Sequence, residues 1–188
     1  MRGHWTLAVV VGSVREGRIG ASVARWFVSQ IGSGRHGDIR PDMVDLAALD
    51  LPADLSGGGD SEDFGRRIEA ADAVVVVTPE YNRGYPGPLK TAIDTVVSPW
   101  SAKPVGFVAY GGVSGGLRAV EQLRPVFAEL HAVTVQAVVA LPYAWNSIDA
   151  DGTVEAPRAE AAVVTMLDQL SWWAHALRDA RAAVPYAV

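Results

Sequence analysis

Three short runs in the sequence carry residue types that could hold and orient a flat, charged ligand. The first, Gly12-Ser13-Val14-Arg15-Glu16-Gly17-Arg18-Ile19-Gly20, brings glycines, a hydroxyl and two guanidiniums together after an apolar run. Glycine lets a backbone come close to a phosphate, Ser13 can donate a hydrogen bond, and Arg15 or Arg18 can neutralise charge. A helix starting near Ile19 and Gly20 would add its free N–H groups and the positive end of its dipole. Alone, this run fits a phosphate cradle and an ordinary strand-to-helix turn about equally well. The second run, Thr78-Pro79-Glu80-Tyr81-Asn82-Arg83-Gly84-Tyr85-Pro86-Gly87-Pro88, is more specific. An acid, an aromatic and an amide stand in a row, stiffened by prolines and bent by glycines, so backbone groups can be held against a ring. A flavin needs such a wall, with polar partners at its pyrimidine edge and a donor near N5. The third run, Gly111-Gly112-Val113-Ser114-Gly115-Gly116, is again dense in glycine and hydroxyl. The first run thus offers a place for the phosphate of FMN, and the second a wall for its ring.

Other chemistries find little support. The 188 residues contain no cysteine, which removes thiol catalysis, disulfides, cysteine-ligated zinc and iron–sulfur clusters. It also fits a reducing compartment, and the expected location is the cytoplasm. His4, His36, His131 and His175 are scattered with no metal-ligand spacing and read as surface or incidental residues. With 16 basic and 21 acidic residues, the chain lacks the basic balance of a nucleic-acid binder. The apolar run Trp5–Val11 is far short of the roughly 20 residues of a membrane span, and no cleavage pattern follows it. The first loop has neither the Gly-Lys-Ser/Thr of a phosphate-binding P-loop nor a well-placed Gly-x-Gly-x-x-Gly. Ser114 resembles a nucleophile elbow, but a hydrolase would need a longer chain and an acid and histidine following in order.

The elements that must position these loops alternate along the chain. Trp5–Val11 reads as a buried strand and Ile19–Ile31 as a helix, with Gly32 and Gly34 as its stop. Ile39–Leu46 is a second strand, placed near an edge by Pro41. A helix from Asp60 or Ser61 to Ala71 precedes Ala73–Val77, a strand with four consecutive valines. Pro88–Val97 is helical, Val105–Tyr110 a strand, Leu117–Leu130 a helix containing Pro125, and Val133–Leu141 a fifth strand. An irregular excursion from Pro142 to Pro157, with a turn at Asp149–Gly152, leads to a last helix over about Arg158–Ala182. Five strands alternating with helices predict one α/β domain over residues 1–188. The expected sheet is parallel and five-stranded, in the flavodoxin-like order 2-1-3-4-5 with helices on both faces. Ligands of such sheets lie beyond the carboxyl ends of the strands, which is where the three loops fall. Trp100 and the adjacent Trp172 and Trp173 are expected in the core, with one of the pair free to reach a partner subunit.

Gly-Ser-Val-Arg-Glu-Gly-Arg at 12–18, Thr-Pro-Glu-Tyr-Asn-Arg-Gly-Tyr-Pro-Gly-Pro-Leu-Lys at 78–90 and Tyr-Gly-Gly-Val-Ser-Gly-Gly at 110–116 resemble the NADPH-dependent FMN reductase family. That family includes bacterial chromate and quinone reductases and small azoreductases. The likeness runs from about residue 5 to residue 140, with Pro-Glu-Tyr-Asn its most specific mark. It implies that Gly12, Ser13, Arg15, Arg18, Ile19 and Gly20 surround the FMN phosphate. It implies further that Pro79, Glu80, Tyr81 and Asn82 line the isoalloxazine, and that Gly111, Gly112 and Ser114 close its other edge. Many members have serine and asparagine where this chain has Arg18, Ile19 and Gly20, so charge and backbone would here hold more of the phosphate. The implied activity passes hydride from NADPH, or NADH, through FMN to a quinone, azo compound, metal oxyanion or flavin. Such chemistry belongs largely to the cofactor and requires no protein acid–base pair. No residue is therefore assigned as catalytic, and Glu80 is read at least equally as a helix cap or loop brace. Family members form dimers or tetramers, so a homodimer or homotetramer is expected. The rival reading is a non-enzymatic flavodoxin-like electron carrier or flavin-binding module, although such carriers tend to be more acidic.

Overall fold

The strand Trp5–Val11 (β1) is buried on both sides because its alternate side chains enter two different cores. Trp5, Leu7, Val9 and Val11 pack with the helices Gly20–Ile31 (α1) and Pro157–Ala183 (α5). Ala8 and Val10 face the helices Ser61–Ala70 (α2), Gly87–Thr95 (α3) and Leu117–Glu129 (α4). The same two-sided burial explains the valine run of Ala73–Pro79 (β3) and the wholly buried Pro104–Gly111 (β4). In the computed structural model, which describes residues 3–32, 36–149 and 152–187, these strands form one parallel sheet. Its order is β2-β1-β3-β4-β5, with Ile39–Asp45 (β2) and Val133–Pro142 (β5) at the edges. This is the flavodoxin-like arrangement expected from the sequence, and Pro41 lies on an edge strand, where a missing N–H costs no inner ladder bond. Burial of the apolar faces supplies the main stabilisation, at roughly 25 cal/mol per Å². Aromatic contacts such as Trp100 to Phe127, with ring centres 5.3 Å apart, knit the α2–α4 side.

Most element ends move by one or two residues from expectation. β3 and β4 run on through Pro79 and Gly111, because Pro79 pairs with Tyr110 in register. Gly34, expected with Gly32 to stop the first helix, lies outside the described residues, as do the middle residues of the 149–152 turn. Within the excursion, a 3-10 turn spans Ala144–Ser147 and Ile148 bridges Val154.

Two expectations are corrected in the core. His36 and His175 are not surface residues but are buried, with 5% and 4% exposure. His175 packs edge-on against Trp5, and its Nε2 lies 3.9 Å from Asp38, while His36 Nε2 lies 3.3 Å from Asp168. Scattered in sequence, they could not be assigned to the interior, because the carboxylates beside them come from distant segments. Of the paired tryptophans, Trp173 packs against the core, whereas Trp172 is 60% exposed.

Candidate active site

Parallel register places the three loops side by side. Val11 pairs with Val77 and Pro79 with Tyr110, so β1, β3 and β4 deliver Gly12, Glu80 and Gly111 to one edge of the sheet. Backbone bonds extend the pairing past the strands: Gly12 N donates to Val77 O at 2.9 Å, and Glu80 N to Tyr110 O at 2.9 Å. A cleft of about 190 Å³ opens there. Ser13, Arg15, Arg18 and Ile19 line it from the first loop, Pro79, Glu80 and Tyr81 from the second, and Gly111 from the third. A larger recess of about 540 Å³ opens between α1 and residues 152–160 and contains none of the candidate residues.

The first loop ends at a helix start that no side chain among the described residues caps. Ile19 is the N-cap of α1 without a side-chain cap bond, and the first turn contains no acid. Its leading N–H groups have no partner within the helix and could receive an anion. Ser13 is 1% exposed and its hydroxyl lies 2.9 Å from the Tyr81 phenol, tying the first loop to the second. Arg18 Nη2 donates to Asp45 Oδ2 at 2.8 Å, but Arg18 Nη1 is buried with no partner. The buried Tyr110 Oη likewise makes no hydrogen bond of good geometry. Burial first, and then the Tyr81 phenol, push the Tyr110 phenol upward against the opposing pull of Ser13 and Arg18, so it stays protonated. Two buried polar groups beside one cleft are costly unless something else satisfies them. Gly20 is required by the same crowding, since a Cβ there would stand 2.7 Å from Tyr110 Oη.

The second loop is shaped by a tight hairpin. Tyr81 and Gly84 exchange two backbone bonds of 2.9 Å, with Asn82 and Arg83 at φ 49° and 72° between them. Asparagine tolerates this left-handed backbone, so Asn82 serves the turn, and it does not line the cleft. Glu80 points toward the third loop. Its carboxylate accepts from Ser114 Oγ at 2.6 Å, Arg118 N at 3.2 Å and Arg118 Nη1 at 3.1 Å. Ser114 is thus directed to Glu80 instead of into the cleft, and the pair braces the second loop against the start of α4. Gly12, Gly20 and Gly112 also stand outside the lining, the first two as close-packing positions behind it.

Burial opposes ionisation of Glu80, but the Ser114 hydroxyl and the Arg118 guanidinium and N–H outweigh it, and the carboxyl is held below its ordinary value of 4.5. A lowered carboxyl stabilises the fold above the unfolded value and loses that contribution as pH falls through the folded value. Glu80→Gln is therefore expected to melt about 2–6 °C below wild type at pH 7, with the gap closing below about pH 4.5. Thermal melts of both proteins across pH 3–8 check it, and a gap that widens in acid would refute the brace.

Gly17, Tyr110 and Trp145 complete the lining; the first two stand in the runs 12–18 and 110–116 without a role of their own, and Trp145 stands in none. Tyr110 borders the third glycine run, which was the available signal; Trp145 lies in the irregular excursion and had none. Among the described residues no group of three or more His, Cys, Asp or Glu could hold a metal, and no helix is long and apolar enough to cross a membrane.

Comparison with known proteins gives the same direction. A family model described as NADPH-dependent FMN reductase matches residues 5–146. A 2-hydroxy-1,4-benzoquinone reductase of Burkholderia sp is 32% identical, with 93% of this chain and 97% of that protein covered. An NAD(P)H-dependent FMN reductase of Schizosaccharomyces pombe is 34% identical, over 72% of this chain and 73% of its own. Among solved structures, the flavoenzyme NAD(P)H:(acceptor) oxidoreductase FerB from Paracoccus denitrificans superposes with a TM-score of 0.72 at 26% identity. The match covers 89% of this chain and 98% of FerB. The chain belongs to the NADPH-dependent FMN reductase family of oxidoreductases.

Proposed function

We propose that residues 1–188 form one FMN-binding domain that passes reducing equivalents from a nicotinamide, NADPH in preference to NADH, to small acceptors with quinones foremost. The observation that carries this reading is the cleft at the ends of β1, β3 and β4, where, among the described residues, Arg18 Nη1 is unpaired and Tyr110 Oη lacks a well-aligned hydrogen bond beside the uncapped start of α1. These groups fit the phosphate and ribityl hydroxyls of FMN, which would satisfy both orphans. When bound, the flavin supplies the two-electron chemistry between nicotinamide and acceptor. Ser13, Arg15, Arg18 and the α1 N–H groups hold the phosphate. Pro79, Glu80 and Tyr81, with Asn82 setting the turn, shape one wall for the ring; Gly111 and Gly112 let the backbone approach its other edge, and Ser114 locks that edge through Glu80.

The volume of the cleft, about 190 Å³, is below the roughly 300–1,000 Å³ of enclosing ligand sites. A flavin held there would keep a part open to solvent, for nicotinamide and acceptor to take in turn. Such an open face suits quinones, as in the Burkholderia relative's name, and also azo compounds, metal oxyanions and free flavin. A cytoplasmic homodimer or homotetramer completes the reading.

The test is the absorbance spectrum of the FMN-loaded protein under anaerobic conditions. NADPH is expected to bleach the flavin faster than NADH, and a benzoquinone to restore the colour. A flavin that neither nucleotide bleaches would leave a carrier that depends on a partner protein, and would overturn the enzyme reading.

A further inference from the structure

Among the described residues, Trp145 is the one lining residue that neither the three loops nor β4 supplies. It sits on the 3-10 turn after β5 and is 52% exposed, in contrast to the buried Trp5, Trp26 and Trp100. Leaving an indole half in water forgoes a large share of its burial energy. The turn that holds it is nevertheless firmly built. Tyr143 takes a left-handed backbone (φ 49°, ψ 43°), a conformation that costs a non-glycine residue free energy. Two bonds offset that cost: Tyr143 N donates to Gly111 O at 2.7 Å, and Asn146 N to Tyr143 O at 2.8 Å. Gly111 is itself part of the cleft, so the turn is pinned to the end of β4. The Tyr143 ring meets the Trp145 ring nearly edge-on, with centres 5.7 Å apart, and fixes its tilt. Beyond the turn, Glu155 N donates to Ser147 O at 2.8 Å and closes the excursion.

A strained, pinned turn that presents a half-exposed indole to a cleft has the form of a ligand contact waiting for its ligand. Resting on the FMN reading above, we propose that Trp145 is a fourth wall of the site that covers the bound FMN. Its indole exchanges water for the cofactor on binding, and it restrains the cofactor's escape. Tyr143 acts through it as a positioning residue. The chemistry is aromatic contact with a flat, electron-poor ligand, which is tolerant of ring substituents and adds retention without adding charge.

The experiment uses the full chain labelled with 5-fluorotryptophan, whose six tryptophans give assignable ¹⁹F resonances. Trp145→Phe identifies the Trp145 signal by its loss. Titration with FMN is expected to shift that resonance more than those of Trp172 or the buried tryptophans. Trp145→Ala is expected to bind FMN about ten-fold more weakly, with the melting temperature of the cofactor-free protein lowered by no more than about 5 °C. Saturation with FMN, seen by flavin fluorescence, with an unmoved Trp145 signal and wild-type affinity in Trp145→Ala would overturn the inference while sparing the FMN reading. Failure of the wild-type chain to take up FMN at all would overturn both.

Discussion

Gly116→Ala is expected to lower the melting temperature by about 10 °C, the largest effect of any single methyl in the loops around the cleft. Gly116 caps the start of α4 at φ 90°, a backbone that costs an alanine roughly 1–2 kcal/mol. The added Cβ would also stand 2.7 Å from both Ala109 Cβ and Tyr110 N, atoms of a strand flanked by β3 and β5. Such backbone cannot step aside, and overpacking of this kind costs about 1–3 kcal/mol more. A total near 3 kcal/mol corresponds to the stated shift for a chain of this size. Gly112→Ala is the control: no atom lies within 4 Å of its Cβ position, and its melting temperature should stay at the wild-type value. Circular dichroism melts of the two variants measure the contrast. Equal, small losses would mean that the third loop yields easily and does not define the cleft.

Arg18→Ala is expected to weaken FMN binding about 30- to 100-fold and to leave riboflavin binding nearly unchanged. Arg18 Nη2 is held by Asp45, and Nη1 is buried beside the cleft without a partner among the described residues. On the proposed reading, that free nitrogen donates to the phosphate, and a charge-assisted bond of this kind contributes about 1.5–3 kcal/mol. Removal does more than delete a donor. The Asp45 carboxylate, 2.8 Å from Nη2 in the wild type, loses its cation and turns its charge on the incoming phosphate. The double variant Arg18→Ala/Asp45→Asn should therefore recover part of the affinity. Riboflavin lacks the phosphate, so an equal loss for both ligands would move Arg18 from the phosphate to the fold.

The sequence makes the frame of this site legible and leaves much of its interior hidden. Apolar runs such as 73–77 have one structural use, a strand covered on both sides, and the loops at their carboxyl ends then fall together by the rules of parallel sheets. Chain-local chemistry survives at Pro41, which marks an edge, whereas Asn82, expected at the ring, is taken up by a left-handed turn. What cannot be read is lateral. The Arg18–Asp45 pair joins residues 27 positions apart, and Ser114 reaches Glu80 across 34, each fixed by the register of neighbouring strands. Both Ser114 and Glu80 belong to loops that meet at the cleft, yet they spend their polar groups on one another. Trp145 was invisible for the opposite reason, since no periodicity governs the segment that carries it.

The central claim is that the edge formed by β1, β3 and β4 holds a flavin by its phosphate. Equilibrium titration of the cofactor-free wild-type chain with FMN and with riboflavin tests it most directly. The predicted result is at least about 100-fold tighter binding of FMN, from Ser13, Arg15, Arg18 and the α1 N–H groups acting on the phosphate together. Equal affinities for the two ligands, or no binding of either, would contradict it.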